Sequence, residues 1–321
     1  MNRALIIGEA LIDVVQREGR PSSEHVGGSP LNVAVGLSRL ERDVDFLTSI
    51  GDDSRGRRIA DYVAAAGVHL LDGSVAARRT PVARAVLDAA GSATYEFDID
   101  WHLDGAPDVD APVVVHTGSI ATVLEPGCRT VAALLDAYRG SATISFDPNV
   151  RAALITDHGR TRTQIERLVA RSDVVKASDE DLRWLAPDST PEDVAQRWSM
   201  TGPAVVVVTM GGDGAFAVSA AGSVRVPARP VQVVDTVGAG DSFMAGLIDA
   251  LWSLDLLGAE RREQLRAIDL DRLAASVEAA VLSSALTVEQ AGAVLPDRAT
   301  RDAAALESHR GRGREDPPAA S

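Results

Sequence analysis

The sequence predicts an α/β fold: a mostly parallel central sheet with helices on both faces, plus a small β-lid. Three observations carry this. Short apolar runs alternate along the chain with longer amphipathic runs, the mark of parallel βαβ units. Glycine-rich turns follow several of the apolar runs, at the strand ends where ligands lie in such sheets. Two further stretches have period-two character and cannot bury both faces within the main sheet.

In chain order, the strand-like segments are Ala4–Ile7, Val44–Ile50, Val113–Thr117, Thr143–Asp147, Val174–Ala177 and Ala204–Met210, with a β-like run at Val231–Val234. The helix-like segments are Leu31–Leu40, Arg55–Ala66, Pro126–Tyr138, Arg160–Arg171, Pro191–Met200, Ala239–Leu251 and Leu270–Leu286. Leu11–Val15 with the turn-rich Gln16–Glu24, and Val82–Asp98, are the two stretches that break the alternation. Read together they form a lid, as insertions of about 11–24 and 82–100 in a domain spanning 1–300; read separately they are edge strands. Residues 301–321 are polar, rich in Ala, Arg, Gly and Pro, and without an apolar period, so a frayed tail is expected.

Composition narrows the class. Hydrophobic content of 45% supports a core, and aromatics at 4% make it one of Ala, Val and Leu. A net charge of −14 argues against nucleic-acid and anionic-membrane surfaces. An anionic ligand must then be held locally, by arginines, backbone amides and metal. The single cysteine, Cys128, excludes an internal disulfide and fits a reducing cytoplasm. Met1-Asn-Arg leads directly into a strand, so neither a signal peptide nor a membrane span is expected.

Asp235-Thr-Val-Gly-Ala-Gly-Asp241, leading into an apolar helix, is the most informative segment. A helix N-terminus offers free N–H groups and a positive dipole end, which suit an anion. Glycines there allow backbone approach that a Cβ blocks. An acid beside an anion repels it unless it has a task, and taking a proton from an attacking hydroxyl is such a task. Asp241 read alone also fits an ordinary N-terminal helix acid, the lesser of the two readings. A dinucleotide fingerprint is excluded because Phe243 stands where its third glycine belongs, and a Walker loop because Lys176 is the only lysine.

Gly27-Gly28-Ser29-Pro30-Leu31-Asn32 opens another helix, with Pro30 in its first turn. Asn32 offers a donor and an acceptor, suited to a sugar hydroxyl, although a plain Gly-Ser cap explains the segment too. Asp13, closing Gly8-Glu-Ala-Leu-Ile-Asp13, is an acceptor for hydroxyls or a solvated turn acid. Gly51-Asp-Asp-Ser-Arg-Gly56 reads as a β–α turn with capping acids. Asn149 and Arg151 follow a strand end, where Arg151 is a clamp for phosphate or carboxylate, or a surface ion pair. Thr209-Met-Gly211-Gly212-Asp-Gly214 makes a tight turn that is a hairpin and, compatibly, a cradle for nucleotide phosphate.

Together these residues resemble the ribokinase-like (PfkB) carbohydrate kinase family, in particular its fructokinases and 2-keto-3-deoxygluconate kinases. The resemblance runs from Gly8 to the Gly292-Ala293 segment. It implies ATP-dependent transfer of a γ-phosphoryl group to a sugar hydroxyl, most closely of fructose. It implies Asp241 as base and the Gly238, Ala239 and Gly240 amides as anion hole, with Arg151 near the phosphoryl group or the substrate anion. Asp13, Gly28, Asn32 and Asp241 match sugar-binding positions, and Thr209, Gly211, Gly214 and Gly240 match ATP-binding ones. It further implies Mg²⁺ and dimerisation through the lid.

Two departures stand out. Where the family has Asn-x-x-Glu supporting the metal through water, this chain has Ser178 and Asp181. Asp235 and Val237 match part of a monovalent-cation (K⁺) site whose C-terminal end, Gly292-Ala-Val-Leu-Pro296, lacks the usual serine. Two rival readings remain: a nucleoside kinase on the same fold, disfavoured by the few aromatics between Asp13 and Asn32, and a non-catalytic sugar sensor, disfavoured by the intact Gly-Ala-Gly-Asp run.

Overall fold

The computed structural model describes residues 2–17, 21–87, 93–105 and 109–312. Its strands are β1 (Ala4–Ile7), β2 (Leu11–Arg17), β3 (Ser23–Gly27), β4 (Val44–Leu47), β5 (His69–Leu70), β6 (Val82–Leu87) and β7 (Ala93–Asp98). Then come β8 (Val114–Gly118), β9 (Thr143–Asp147), β10 (Val174–Ser178), β11 (Val205–Thr209), β12 (Ala215–Ser219) and β13 (Gly222–Val226). The first helices are α1 (Ser29–Arg39), α2 (Ser54–Ala65), α3 (Gly127–Tyr138), α4 (His158–Arg171) and α5 (Asp179–Leu185). The remainder are α6 (Pro191–Ser199), α7 (Ala239–Ser253), α8 (Arg262–Arg266), α9 (Leu270–Val288) and α10 (Arg298–Arg312).

Among the described residues nine strands form the main sheet, in the order β13-β12-β11-β10-β9-β8-β1-β4-β5. Every pairing from β11 to β5 is parallel, while β11–β12 and β12–β13 are antiparallel. Alternate residues serve opposite faces, and both faces are apolar. Ala4, Ile6, Phe46, Val205 and Val207 pack with residues of α1, α7 and α9. Leu5, Ile7, Ile144, Val206 and Val208 pack with residues of α3, α4, α5 and α6. That two-sided burial is why these strands read as continuous apolar runs.

The two insertions do form one small sheet, ordered β3-β2-β6-β7. The pairing of β2 with β6 is parallel and joins one insertion to the other. The Gly51–Gly56 turn behaves as a β–α turn, with Asp53 accepting from the amides of Arg55 and Gly56 at the start of α2 and from Thr80.

Two expectations are corrected. Val231–Val234 is not a strand: Val233 and Val234 are 60% and 59% exposed, and the Val234 amide donates to the Val288 carbonyl at the end of α9. With β13 already at the sheet edge and bonded to β12, this β-branched run rides along a helix end instead. The chain beyond Arg301 does not fray at once, because α10 continues to Arg312. Its anchor is ionic. Arg298 and Arg301 both donate to the buried carboxylate of Asp249, which also accepts from Arg42 at 2.7 Å. The rest of the expected tail lies outside the described residues. No helix among the described residues is long and apolar enough to cross a membrane.

Candidate active site

The site forms where the N-termini of two helices meet beyond the strand ends. Gly238 is the N-cap of α7 in the left-handed region, with φ 79°. A Cβ there would also come within 2.6 Å of the Ala293 Cβ, so a side chain is excluded twice over. The first turn places Asp241 on the buried side of α7. Its Oδ1 accepts from Ser29 Oγ at 2.6 Å and its Oδ2 from Asn32 Nδ2 at 2.8 Å. Both donors lie in the first turns of α1. One turn further along, a Cβ on Gly36 of α1 would lie 2.9 Å from the Ala245 Cβ of α7. The two helices therefore run parallel, and both positive dipole ends converge on Asp241. Ser29 was missed as a partner because a serine before a proline reads first as a cap.

Beneath this turn lies a charged cluster that the sequence reading left out. Lys176 on β10 is buried and donates to Asp147 Oδ2 at the end of β9, at 2.9 Å. A Cβ on Gly240 would lie 3.0 Å from the Lys176 Nζ. Gly240 is thus glycine for space, since no positive φ requires it. Burial disfavours the lysine's charge, yet Asp147, Asp181 and Asp241 together hold its pKa above the ordinary value. Burial pushes the Asp147 carboxyl up to about 6, against the pull of Lys176. The signal was present: one charged residue inside the apolar run Val174-Val175-Lys176-Ala177.

On the lid side, the Gly27-Gly28 pair has a steric reason. A Cβ on Gly27 would come within 2.1 Å of Asp13 Oδ2, and one on Gly28, whose φ is 118°, within 2.4 Å of the Glu9 carbonyl oxygen. Asp13 is solvent-exposed on β2, yet desolvation by its surroundings raises its pKa, while Arg151 and His25 pull it down. The Arg151 charge also acts on Glu9, so Arg151 belongs to the Asp13 side of the cleft. Glu9, passed over in the sequence, is buried, accepts from the Ala121 amide at 3.1 Å, and is pushed up to about 7 by desolvation. On the lid Arg84 pairs with Glu96 at 3.1 Å, and Arg79, ahead of β6, pairs with Asp98 at 2.6 Å.

Thr209 ends β11, and Gly211 and Gly214 lie in the hairpin turn between β11 and β12, where the Met210 amide donates to the Gly214 carbonyl at 2.8 Å. Gly214 has φ 89° and presses on the backbone of Val226 to Ala228, whereas nothing lies near a Cβ built on Gly211. Beside that turn is an open cavity of about 260 Å³ lined by Val226 to Pro230, Glu278 and Val281.

The expected metal residues are tied up. Asp181 Oδ2 accepts from the amide and hydroxyl of Ser178, and Oδ1 from the Val150 amide at 2.7 Å. Asp235 accepts from the amides of Val237 and Gly292, which hold its carboxyl below the usual range and tie the segment leading into α7 to the Gly292 loop. Val237 itself is exposed. Among the described residues no group of three or more His, Cys, Asp or Glu side chains is placed to hold a metal ion.

The chain is 36% identical over 265 residues to a fructokinase of Rhizobium leguminosarum bv. trifolii, covering 79% of this chain and 81% of that one. A fructokinase with bound ATP from Xylella fastidiosa has the same fold, at a TM-score of 0.85 and 24% identity, over 96% of this chain and all of the other. A Vibrio cholerae O395 fructokinase double mutant, in a form with fructose, ADP and potassium ion bound, matches at a TM-score of 0.73 and 26% identity, over 94% of this chain and 98% of that one. The model of the pfkB family carbohydrate kinases matches residues 1–300, and the chain belongs to that family of ATP-dependent sugar kinases.

Proposed function

We propose that this chain phosphorylates fructose, with Asp241 as the base. The observation that carries the catalytic part is the placement of Asp241, held by Ser29 and Asn32 where two helix N-termini converge. A sugar hydroxyl displaces one of these donors and gives its proton to the carboxylate. Its oxygen then bonds to the γ-phosphorus as the bond from that phosphorus to the bridging oxygen breaks, releasing ADP. Charge on the transferring group meets the amides of the Gly238-Ala239-Gly240 turn. Of these, the Ala239 amide is partly engaged by the Thr236 carbonyl at 3.2 Å, which leaves Gly240 as the freer donor.

On this reading Asp13, Gly28 and Asn32 hold the sugar, and Thr209, Gly211 and Gly214 hold the nucleotide phosphates. The apolar cavity beside Gly214 takes the base. Mg²⁺ would arrive on the phosphates and neutralise their charge, and Asp181 would hold it through a water. The residues fit such a hydrated ion and no all-protein cage. Carbonyl oxygens near Asp235 and Val237 would serve K⁺, as the potassium in the Vibrio protein suggests. Cys128, a buried free thiol, fits a cytoplasmic setting, and the lid sheet is the surface through which two copies would pair.

One observation favours a second acceptor. Arg151 makes no ion pair among the described residues and faces the Asp13 side, as a carboxylate clamp for 2-keto-3-deoxygluconate would. Measuring kcat/KM for ADP release with fructose, 2-keto-3-deoxygluconate, ribose and adenosine decides it. Fructose is expected to lead, and a clear lead for the keto-acid or for adenosine would overturn the choice.

A further inference from the structure

The chain has 32 basic residues, of which Lys176 alone is lysine. That one lysine is neither on the surface nor at an interface. It is 3% exposed, on the sheet face covered by α7, with its ammonium against Gly240. A lysine paired with an aspartate in a core is a weak stability device, because an apolar pair of similar volume commonly does as well or better. Its presence calls for another reason.

The geometry supplies one. Of the three ammonium protons, one goes to Asp147 among the described residues, and the group points past it toward the turn that opens α7. Asp147, Asp181 and Asp241 are all buried around it, an excess of negative charge in which a phosphoryl group would not settle unaided. An ammonium is a compact point charge with rotatable donors, and here it sits directly beneath Gly240.

We propose that Lys176 is a catalytic residue: its ammonium, fixed by Asp147, donates to a non-bridging oxygen of the γ-phosphoryl group held at Gly240 and strengthens that bond as the group transfers. The lysine neither gains nor loses a proton. The bond from phosphorus to the bridging oxygen breaks, the bond to the sugar oxygen forms, and the sugar's proton passes to Asp241. This rests on the Gly238–Asp241 turn being the phosphoryl site.

The test is a paired substitution, Lys176→Met with Asp147→Asn, which removes the ion pair without leaving a buried charge unpartnered. Turnover should fall at least roughly 100-fold, as for loss of an oxyanion donor. Affinity for ATP should fall about tenfold more than affinity for ADP, the result of losing one γ-phosphate contact. A double variant that turns over and binds ATP like the wild type would overturn the proposal. Wild-type protein gives a second measurement that does not depend on the variant folding. Labelling with ¹⁵N-lysine yields a single side-chain ammonium resonance, which should shift on adding the β,γ-imido analogue of ATP with Mg²⁺ and should not shift with AMP. A resonance indifferent to the saturating analogue contradicts the contact. If instead the turn itself is misassigned, Asp241→Asn stays active. If only Lys176 is misassigned, Asp241→Asn is inactive while the lysine variant works.

Discussion

Asn32 donates its side-chain amide to Oδ2 of Asp241 at 2.8 Å, across 209 positions of sequence. The bond joins α1 to α7, and on the proposed mechanism the same amide aims the base and borders the acceptor. Asn32→Asp keeps the shape and sets two carboxylates face to face. Turnover should drop roughly 100-fold, as expected when a general base is misdirected. Steady-state kinetics at saturating sugar would measure this, and near-normal turnover would reduce Asn32 to a helix residue.

Glu9 should make stability depend on pH. Its carboxyl is pushed from 4.5 up to about 7 by burial, so the folded state holds a proton that the unfolded chain has released. Stability is then undiminished below pH 4.5 and declines as pH rises toward 7. The full effect is on the order of 3 kcal/mol, at 1.36 kcal/mol per unit. Glu9→Gln removes the titration. Its stability relative to wild type, from urea unfolding, should climb between pH 5 and pH 8. A constant difference would show that Glu9 does not titrate in this range.

Asp249 is expected to hold the C-terminal helix. It is fully buried and accepts from Arg42, Arg298 and Arg301. Asp249→Ala leaves those guanidinium groups without their carboxylate, a loss of about 3–5 kcal/mol for a broken buried pair. The melting temperature should fall by roughly 5–10 °C. Protease cleavage near α10 should also speed up, and an unchanged melt would mean the helix docks by other contacts.

How much of this was legible in the sequence follows from the physics of each element. Ala4–Ile7 and Thr143–Asp147 end where their apolar runs end, because strands buried on both faces have no other signature. Val231–Val234 has the same composition and no strand to pair with, a fact only the topology holds. α10 escaped notice because its docking uses two arginines on a distant aspartate instead of an apolar stripe. The Gly238–Asp241 turn was readable because Gly238 serves a local need, a left-handed φ, whereas the room that Gly240 leaves for Lys176 is a tertiary matter. The partners of Asp241 were less so. Nothing at Ser29 or Lys176 records that α1 or β10 will lie against α7.

The lid should close as one unit. β2 and β6 pair in parallel from Ile12–Val82 to Arg17–Leu87, so the two insertions cannot move apart without losing that ladder. Sugar contacting Asp13 on β2 should slow amide exchange in both insertions together, and exclude water from the reaction. Exchange that fructose leaves unaltered, followed by mass spectrometry, would mark them as fixed strands.

The central claim is that Asp241 takes the proton of the attacking hydroxyl. Its most direct test is fructose-dependent ADP release by Asp241→Asn, compared with wild type at saturating substrates. Turnover should fall at least roughly 100-fold, the lower bound for losing a general base, while nucleotide affinity is unchanged or improved because a negative charge near the phosphates has gone. An Asp241→Asn enzyme that releases ADP at close to the wild-type rate would contradict the mechanism.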